Sequence, residues 1–456
     1  MNDDSSSRIV ASLHAWIAEA PPGARLPSTR ALVAEHGVSP VTVQKALRAL
    51  ATRGAVETRP GVGTFVREMS ALRPHDHGWQ TAALGAQPRR GLRRSVALRT
   101  APSDAVALHS GYPDRELLPH RLVRSAYARA ARRDAAVTRP PSAGLPELQA
   151  WFAAEVGAAA NDVVVVPGSQ SGLATAFRSL VGAGRPLVVE SPTYWGAILA
   201  AAQVGVEVVP VPSGRHGPDP DELARAFART GARAFYAQPS FANPTGARWS
   251  PDVAERVLDL VRDHGAFLIE DDWAHDFGID AEPVPLAARD GSGHVVHLRS
   301  LTKSVSPSVR VAGVVVRGPA RERILADVEA ESMYVSGLLQ AVALDVVTQP
   351  SWRTHLRALR RQLGARRDLL AAAVREHVPQ ATFELPAGGL NLWLRLPDGT
   401  DVRRLAGDCE AEGVVIAPGD EWFPAEPAGC FVRLNFSGPD PGSFERGTQV
   451  IGESLR

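Results

Sequence analysis

The sequence predicts an α/β protein in two parts: a small N-terminal unit of helices with one hairpin, and a large unit built on a mostly parallel sheet. Three observations predict this architecture: closely spaced helix caps near the N terminus, Val-rich runs that alternate with helix-length segments beyond residue 104, and a basic stretch with prolines and glycines between them. Continuous apolar runs are typical of parallel strands that are buried on both faces. We therefore expect one unit at 1–68, a linker at 69–103 and a second unit at 104–456.

Composition limits the class of protein. The chain has 456 residues, of which 45% are hydrophobic and 22% charged, with a net charge of +1, and this is typical of a globular protein rather than a disordered one. No apolar run approaches the ~18–20 residues of a membrane span, and the polar start MNDDSSSR argues against a secretory signal. Two cysteines, Cys409 and Cys430, are too few for a disulfide scaffold or a four-cysteine zinc site. We expect a cytoplasmic protein with no metal site and no membrane partner.

The N-terminal unit begins with an amphipathic stretch at 8–18, which predicts a first helix. After a Pro-Gly turn, Ser28 is placed to cap a second helix that runs from Thr29 to about His36. Gly37 follows that helix, where a glycine commonly ends a helix in the left-handed conformation.

Ser39 and Pro40 mark the start of a third helix, because serine is a favoured N-cap and proline is favoured at the first helical position. We expect this helix to run to Gly54 and two strands to follow it as a hairpin in AVETRPGVGTFV. Three helices and a hairpin within ~65 residues are the layout of a winged helix-turn-helix, which lays its last helix in the major groove of DNA. The inner face of that helix is predicted to be Val43, Ala46, Leu47 and Leu50, and the outer face Thr42, Gln44, Lys45 and Arg48.

The stretch at 69–103 is predicted to be a linker, because it contains three prolines and three glycines and few bulky apolar residues at any period. It carries six arginines against one acid, Asp76. Two interpretations are open: the RRGLRRS run contacts DNA phosphates, or the stretch is a solvated basic tether.

Nine apolar runs predict the strands of the large unit. A segment at 352–376, rich in Arg, Leu and Ala, predicts one long helix, and the runs after it suit a smaller α+β part at about 321–456. The runs are VVVVP at 163–167, RPLVVE at 185–190, VEVVPV at 206–211, RAFYAQP at 233–239, AFLIE at 266–270, HVVHLRS at 294–300, VAGVVV at 311–316, LNLWLRLP at 390–397 and CFVRLNF at 430–436.

Five separated segments of the large unit have residues suited to a phosphorylated ligand. A Gly-Ser turn that opens a helix presents backbone N–H groups to a phosphate, and an acid at the carboxyl end of a buried strand lies where α/β proteins bind ligands. Taken singly, each segment also has an ordinary interpretation as a connecting turn or a core residue. The segments are PGSQSGL at 167–173, SPTYWG at 191–196, NPTG at 243–246, EDDWAHDF at 270–277 and SLTKSVSPSVR at 300–310.

Lysine is almost absent from the chain. Of 50 basic residues only Lys45 and Lys303 are lysines, and the other 48 are arginines. A lysine that remains in such a chain suggests chemistry that arginine cannot perform, because an amine can lose its proton and form an imine while a guanidinium stays protonated. Chance retention of two lysines is equally compatible with this count.

The stretch from Pro22 to Val66 resembles the GntR family of bacterial winged-helix regulators in LPSTR, HGVSPVTVQKALRAL and ETRPGVGTFV. The family often has arginine where Pro40 and Gln44 stand here, so the resemblance implies a different base preference, with more weight on Gln–adenine pairing. The DNA-binding residues that it implies are Arg30, Ser39, Thr42, Gln44, Lys45, Gly61 and Gly63.

The five segments, in this order and spacing, resemble those of fold-type I pyridoxal-phosphate enzymes, specifically the class I/II aminotransferases, over 104–456. The resemblance implies that Lys303 forms an aldimine with the cofactor, that Asp271 pairs with its ring nitrogen and that Arg433 binds the carboxylate of an amino acid. The residues implied to bind the cofactor are Ser169, Gln170, Tyr194, Asn243, Asp271, Trp273, Ser300, Lys303 and Arg310.

Two departures from that family bear on its activity. Trp273 stands where relatives with a DNA-binding arm have a tyrosine, and an indole is a bulkier group that only donates hydrogen bonds. In TRPPSAGLPEL the family's tyrosine, which reaches a neighbouring subunit's phosphate, is missing; Thr138 and Arg139 stand there, and Arg139 is a candidate substitute.

The two modules in one chain resemble the MocR group of bacterial regulators. The resemblance implies a homodimer that binds double-stranded DNA and senses pyridoxal phosphate, or its adduct with an amine or amino acid, through Lys303. At most residual transaminase activity is expected of the chain. Two alternatives stay open: a catalytically active aminotransferase with a vestigial or tethering DNA-binding head, and a large unit that binds no cofactor.

Overall fold

The computed structural model describes residues 2–67, 79–80, 83, 95–102, 104–438 and 440–456. They divide into two compact units, one within Met1–Arg89 and one within Arg90–Arg456. The linker predicted at 69–103 therefore lies mostly outside the described residues, with only 79–80, 83 and 95–102 described. Among the described helices, none combines the length and the apolar character that crossing a membrane requires.

The N-terminal unit has the three helices and the hairpin that the sequence predicts. Ser28 and Ser39 cap α2 and α3, and each serine Oγ accepts a backbone N–H at 3.2 Å. Gly37 ends α2 with a φ of 63°, which only glycine adopts without cost. Helix α1 starts six residues before the predicted stretch, since apolar periodicity begins only at Ile9. The elements are α1 (Asn2–Glu19), α2 (Thr29–His36), α3 (Pro40–Thr52), β1 (Val56–Arg59) and β2 (Gly63–Val66).

Helix α3 packs on the core of this unit through one face. Val43, Ala46 and Leu50 are buried, whereas Gln44 and Lys45 on the outer face are exposed, which confirms the predicted division of the helix. Strands β1 and β2 pair in antiparallel register from Val56–Val66 to Arg59–Gly63. The core residues are Ile9, Leu13, Leu26, Leu32, Val43, Ala46, Leu50, Val56 and Val66.

An eight-stranded sheet, in the order β4-β11-β10-β9-β8-β5-β6-β7, forms the centre of the large unit. Strands β10, β9, β8, β5 and β6 are parallel neighbours, and β11 runs antiparallel to both β10 and β4. The mostly parallel sheet is thus confirmed. The strands are β4 (Val163–Val166), β5 (Pro186–Ser191), β6 (Glu207–Gly214), β7 (Gly217–Pro218), β8 (Ala234–Ala237), β9 (Phe267–Asp272), β10 (Val295–Ser300) and β11 (Ala312–Val315).

The direction of β11 fixes the position of one loop. Only an antiparallel neighbour can follow β10 after a connection this short, because parallel neighbours need a long crossover. The loop at 301–311, which contains Lys303, therefore turns at the carboxyl end of β10, beside the ends of β8 and β9.

Helices cover both faces of this sheet, and apolar clusters lie on each side of it. The long helix predicted at 352–376 is confirmed as α12. The helices are α4 (His120–Ala130), α5 (Pro146–Ala154), α6 (Ser169–Ala176), α7 (Trp195–Val204), α8 (Pro220–Thr230), α9 (Pro251–Asp263), α10 (Pro319–Ser332), α11 (Gly337–Thr348), α12 (Pro350–His377), α13 (Val402–Ala411) and α14 (Phe444–Ser454).

The smaller C-terminal part is α+β, as predicted, and contains β12 (Asn391–Arg395), β13 (Val414–Val415), β14 (Ala417–Pro418) and β15 (Phe431–Asn435). Strand β15 lies between β12 and β14 and is antiparallel to both. A strand from the beginning of the large unit, β3 (Val106–Ala107), pairs with β13. This long-range pairing brings residues near 106 next to the C-terminal part.

Candidate functional site

One cavity of about 490 Å³ lies where the five sequence segments meet. Segments that end neighbouring strands of a parallel sheet come together at its carboxyl edge, which is where α/β proteins bind ligands. All nine residues predicted to bind a cofactor line this cavity: Ser169, Gln170, Tyr194, Asn243, Asp271, Trp273, Ser300, Lys303 and Arg310.

The Lys303 amine lies over an aromatic face inside the cavity. Its Nζ is 4.2 Å from the centroid of the Trp273 ring and 6.0 Å from that of Tyr112. Burial, reinforced by Arg433, lowers the pKa of Lys303 to about 7, although Asp271 acts in the opposite direction. A substantial fraction of the amine is therefore neutral near pH 7, and the neutral amine is the form that attacks an aldehyde.

Asp271 presents one satisfied and one unsatisfied carboxylate oxygen. Its Oδ2 accepts hydrogen bonds from the Tyr236 hydroxyl at 2.9 Å and from Gln238 Nε2 at 2.8 Å. Its Oδ1 is buried and has no hydrogen-bond partner among the described residues. Burial raises the pKa of Asp271 to about 6, although these two hydrogen bonds and Lys303 act in the opposite direction. A buried, half-satisfied carboxylate in a cavity suits a ligand that brings a protonated ring nitrogen.

The amino end of α6 and Arg310 form a cradle for an anion. Helix α6 begins at Ser169, directly after Gly168, whose φ is 87°. A Cβ on Gly168 would lie 3.1 Å from the Arg310 guanidinium, so glycine allows that cation to approach the helix end. Arg310 Nη2 also donates to the Pro167 carbonyl at 3.3 Å. Backbone N–H groups, a helix dipole and a guanidinium together are the groups that bind phosphate in proteins.

Tyr194 is fixed as a wall of the cavity by its neighbours. Its hydroxyl donates to Gln170 Oε1 at 3.2 Å, and Gln170 Nε2 donates to the Gly196 carbonyl at 2.7 Å. A Cβ on Gly196 would lie 2.4 Å from Tyr194 Cζ and 2.5 Å from Gln170 Oε1. Burial raises the pKa of the Tyr194 hydroxyl, so it stays a hydrogen-bond donor.

Arg433 is buried beside the cavity rather than in its wall. Its Nη1 donates to Asn243 Oδ1 at 3.1 Å, and its Nη2 donates to the His109 carbonyl at 2.7 Å. Its guanidinium lies over the Trp422 ring at 4.6 Å, and its Nε has no hydrogen-bond partner among the described residues. Burial lowers the pKa of Arg433 to about 10, which still leaves it charged at neutral pH. Asn243, which accepts one of these bonds, lines the cavity, whereas Arg433 does not.

Trp273 contributes a ring face and not a hydrogen bond to the cavity. Its Nε1 donates to the Phe241 carbonyl at 3.1 Å, so its single donor is already used. A tyrosine at this position would keep a hydroxyl for a ligand oxygen. The predicted departure from the family therefore has a specific consequence, the loss of one donor to the ligand.

Several residues of the site were missed in the sequence, among them Tyr236, Gln238 and Tyr112. Tyr236 lies on β8 and Gln238 directly follows that strand, and both side chains donate hydrogen bonds to Asp271. Gln238 follows the end of a buried strand, and the rule that singled out Asp271 applies to it equally. Tyr112 lines the cavity from a loop far along the chain, and no sequence pattern marked it.

Thr138 and Arg139 are not among the residues that line the cavity. The Arg139 guanidinium lies over the Tyr334 ring at 5.7 Å. The idea that Arg139 replaces a tyrosine concerns a second subunit and stays a prediction.

The residues predicted to bind DNA lie on α2, α3 and the hairpin. Arg30, Gln44 and Lys45 are exposed. Ser39 is engaged in the cap of α3, and its Oγ lies 2.8 Å from Thr42 Oγ1. The hairpin tip contains Gly61 with a φ of 72° and Gly63 with a φ of 145°.

Two features of this surface were not predicted. A Cβ on Gly63 would lie 2.8 Å from Arg25 Nε, so the absence of a side chain there lets Arg25 pack on the hairpin. Val41 at the start of α3 is 72% exposed and Val62 at the hairpin tip is 54% exposed. Exposed apolar side chains on a helix that enters a major groove can contact thymine methyl groups.

Two family models match the chain: Aminotransferase class I and II over residues 104–451, and Bacterial regulatory proteins, gntR family, over residues 5–66. The probable rhizopine catabolism regulatory protein MocR of Rhizobium meliloti is 29% identical and covers 94% of this chain and 88% of its own. The HTH-type transcriptional regulator YdfD of Bacillus subtilis is 26% identical over 96% of this chain and 93% of its own. The 2-aminoadipate transaminase of Thermus thermophilus is 28% identical, and the match covers 80% of this chain and 93% of the transaminase.

Solved aminotransferases share the fold of the large unit. The α-aminoadipate aminotransferase of Thermus thermophilus, complexed with N-(5'-phosphopyridoxyl)-L-leucine, matches with a TM-score of 0.74 and 27% identity over 77% of this chain and 92% of that one. The kynurenine aminotransferase of Pyrococcus horikoshii matches with a TM-score of 0.73 and 23% identity, and the match covers 77% of this chain and 91% of that one.

Proposed function

Because this chain belongs to the aminotransferase class I and II family and has a gntR-family domain at its N-terminal end, we propose that it is a DNA-binding transcription regulator of the MocR type that senses pyridoxal phosphate, or an amine or amino acid captured by it. The observation that carries this function is the presence of both modules in one chain, an arrangement that its relatives YdfD and MocR share over 94–96% of this chain. An aminotransferase alone needs no exposed recognition helix.

The cavity fits pyridoxal phosphate, the cofactor that the fold and its neighbours imply. The unsatisfied Oδ1 of Asp271 suits the ring nitrogen, and the cradle of α6 and Arg310 suits the phosphate. Lys303 supplies the amine. When bound, the cofactor supplies an aldehyde that captures amines and a ring that withdraws electrons. In this assignment Tyr194, Asn243 and Trp273 would hold the ring, and Ser169, Gln170 and Ser300 would complete the phosphate end.

An amino-acid ligand follows from Arg433. A guanidinium is suited to pairing with a carboxylate through two parallel hydrogen bonds, and this one is buried, charged and incompletely bonded at Nε. The present acceptors of Arg433 include Asn243 Oδ1, which itself lines the cavity. We assign Arg433 to the carboxylate of the ligand and Lys303 to its amine.

The DNA-binding arm acts through α3 and the hairpin. The outer face of α3 offers Gln44 and Lys45 to a major groove, while Arg30 on α2 is placed for a phosphate, and glycines at the hairpin tip allow close approach to the backbone. A homodimer would present two such arms to two half-sites of double-stranded DNA. Since bacterial DNA lies in the cytoplasm, we place the protein there.

Ligand and DNA are coupled by a difference in affinity. A ligand changes the DNA affinity of a protein only to the extent that it binds two arrangements of the protein unequally. We propose that occupation of the cavity shifts the balance between arrangements that place the two arms differently. The direct test is fluorescence anisotropy with labelled DNA from beside the protein's own gene. Binding that exceeds binding to unrelated DNA supports the proposal, and equal binding to both argues against it.

The second candidate is a working aminotransferase, which the other eight of the nine predicted cavity residues favour. Trp273 weighs against it, because the indole N–H is bonded to Phe241 and leaves the ligand one donor short. Steady transamination of common amino acids would establish this alternative. A Trp273→Tyr variant that gains turnover over the wild-type protein would show that the indole restrains the chemistry.

A further inference from the structure

Part of the stretch predicted to be a linker, residues 95–98, packs at the cavity. Ser95 caps a single 3-10 turn, Val96–Leu98, by accepting the Ala97 N–H at 3.2 Å. Leu98 lines the same cavity as Lys303 and Asp271. Although it lies at the cavity, 61% of Leu98 is exposed. A large apolar side chain in this position is stabilised when an apolar group of a ligand covers it.

The neighbours of Leu98 indicate the kind of ligand. Trp195, Leu199 and Ala200, on the first turns of α7, line the cavity together with Leu98. The charged groups that line the cavity are Asp271, Lys303 and Arg310, and each already has a place in the proposed cofactor site. A charged ligand side chain beside these apolar residues would find no charged partner there, since the polar residue that lines the cavity from α7 is the neutral Gln203. The surface therefore suits an amino acid with an apolar side chain.

The N-terminal end of the turn, at Ser95 and Val96, is hydrogen-bonded to Glu421. The Ser95 hydroxyl donates to Glu421 Oε2 at 2.6 Å, and the Val96 N–H donates to Glu421 Oε1 at 3.2 Å. Ala97 is buried in an apolar cluster with Trp195 and Trp422. Both carboxylate oxygens of one residue thus hold the beginning of this segment.

The anchor of the turn is in contact with the ligand-binding groups. Trp422 follows Glu421, and its ring lies 4.6 Å from the Arg433 guanidinium. The Trp422 carbonyl accepts the Thr193 N–H at 2.8 Å, one residue before Tyr194. A movement of Arg433 toward a ligand carboxylate therefore changes the surface on which Ala97 packs.

We propose that residues 95–98 form a strap that contacts the side chain of the bound amino acid, and that this contact changes the position of the linker. An apolar ligand side chain packs on Leu98 and holds the strap against Glu421 and Trp422. The strap lies within the stretch predicted to be a linker and packs on the large unit, so its position determines where the remaining tether of the DNA-binding arm begins. This inference rests on the proposed function and adds to it the ligand class and the route of coupling.

The test uses the full-length, cofactor-loaded protein with L-leucine and L-alanine as probes. Ligand binding is followed by the absorbance of the bound cofactor, and DNA binding by anisotropy. We expect Leu98→Ala to weaken leucine binding about tenfold, the effect of losing most of one buried leucine contact, and to leave alanine binding unchanged. Leu369→Ala is the matched control, since Leu369 is 49% exposed on α12 and does not line the cavity.

Glu421→Gln separates ligand binding from its transmission. A glutamine keeps the size of the side chain but has only one acceptor oxygen for the two donors. We expect this variant to bind leucine and DNA but to lose the change in DNA affinity that leucine causes in the wild-type protein. Glu426→Gln, an exposed acid of the following loop, is the control and should respond as the wild type does.

Two results would overturn the proposal that residues 95–98 act as a strap. One is equal loss of leucine binding in Leu98→Ala and Leu369→Ala; the other is a Glu421→Gln variant whose DNA affinity still responds fully to leucine. A failure of the proposed function looks different, because the wild-type protein itself would then bind no DNA specifically or show no change in cofactor absorbance with either amino acid. That outcome would remove the strap as well.

Discussion

Asp271 and Asp272 are consecutive residues of β9 whose pKa values are displaced in opposite directions. Side chains alternate between the two faces of a strand, and burial without full hydrogen bonding raises the pKa of Asp271 to about 6. Burial acts on Asp272 as well, but His275, together with His297 and Arg299, outweighs it and lowers the pKa of that carboxyl. His275 Nδ1 lies 2.6 Å from Asp272 Oδ2. Asp271 lines the cavity, where a ligand can reach it, whereas Asp272 does not line the cavity and is paired with His275.

The cofactor should be joined to Lys303. When the protein is supplied with pyridoxal phosphate, treated with borohydride and digested, peptide mass mapping should find the reduced cofactor on that residue. The reason is that Lys303 is the amine that lines the cavity. Lys45, the other lysine of the chain, lies on α3 and serves as the internal control. Label on Lys45 alone, or on neither lysine, would contradict the assignment.

The rate of cofactor capture should depend on pH with a midpoint near 7. Burial disfavours the ammonium form, so the pKa of Lys303 falls from 10.5 to about 7 and the reactive neutral amine predominates above that pH. Mixing cofactor-free protein with pyridoxal phosphate and following the absorbance band at several pH values measures this. The rate should rise up to about pH 8 and then level off. A rate that continues to rise toward pH 10 would mean that the amine has an ordinary pKa.

Arg30→Ala should weaken DNA binding and flatten its salt dependence. Each phosphate contact contributes about 0.9 to the slope of log K against log salt concentration on duplex DNA, so the loss of one contact should reduce the slope by about that amount. Anisotropy titrations at several salt concentrations measure the slope. Arg132→Ala, which removes an exposed arginine of the large unit, should leave it unchanged. An unaltered slope in Arg30→Ala would rule out the phosphate contact.

Gly196→Ala should disturb the cofactor site. The new Cβ would lie 2.4 Å from Tyr194 Cζ, so the tyrosine ring must shift, and such overpacking costs about 1–3 kcal/mol. We expect weaker retention of pyridoxal phosphate in equilibrium dialysis and a lower melting temperature of the large unit. Gly407→Ala on α13 is the control, because a Cβ there has no neighbour within 4 Å and alanine is a better helix former. Equal effects of the two substitutions would show that Gly196 has no special role.

Local rules were sufficient for the elements whose signals lie close together in the sequence. Ser28, Ser39 and Gly37 marked the ends of α2 and α3 because caps depend on a few neighbouring residues. The five segments could be singled out because each lies at or after the end of a strand, and parallel strand ends meet at one edge. Which of their residues bind the cofactor was implied by the family resemblance. The family resemblance supplied the order of the segments.

Contacts between distant parts of the chain could not be predicted in this way. Leu98 and Tyr112 enter the cavity from segments with no periodic signal, and the pairing of β3 with β13 joins residues more than 300 positions apart. The engagement of the Trp273 N–H by Phe241 also depends on the folded backbone.

The most direct test of the proposed function is the DNA affinity of the full-length protein with and without pyridoxal phosphate. Anisotropy measures this affinity for the wild-type protein and for Lys303→Ala. The N-terminal unit is compact in its own right, so the variant should bind DNA with the affinity of the cofactor-free protein. We predict that pyridoxal phosphate changes the DNA affinity of the wild-type protein and leaves that of Lys303→Ala unchanged. The same DNA affinity for the wild-type protein with and without the cofactor would contradict the proposal that this chain is a cofactor-sensing regulator.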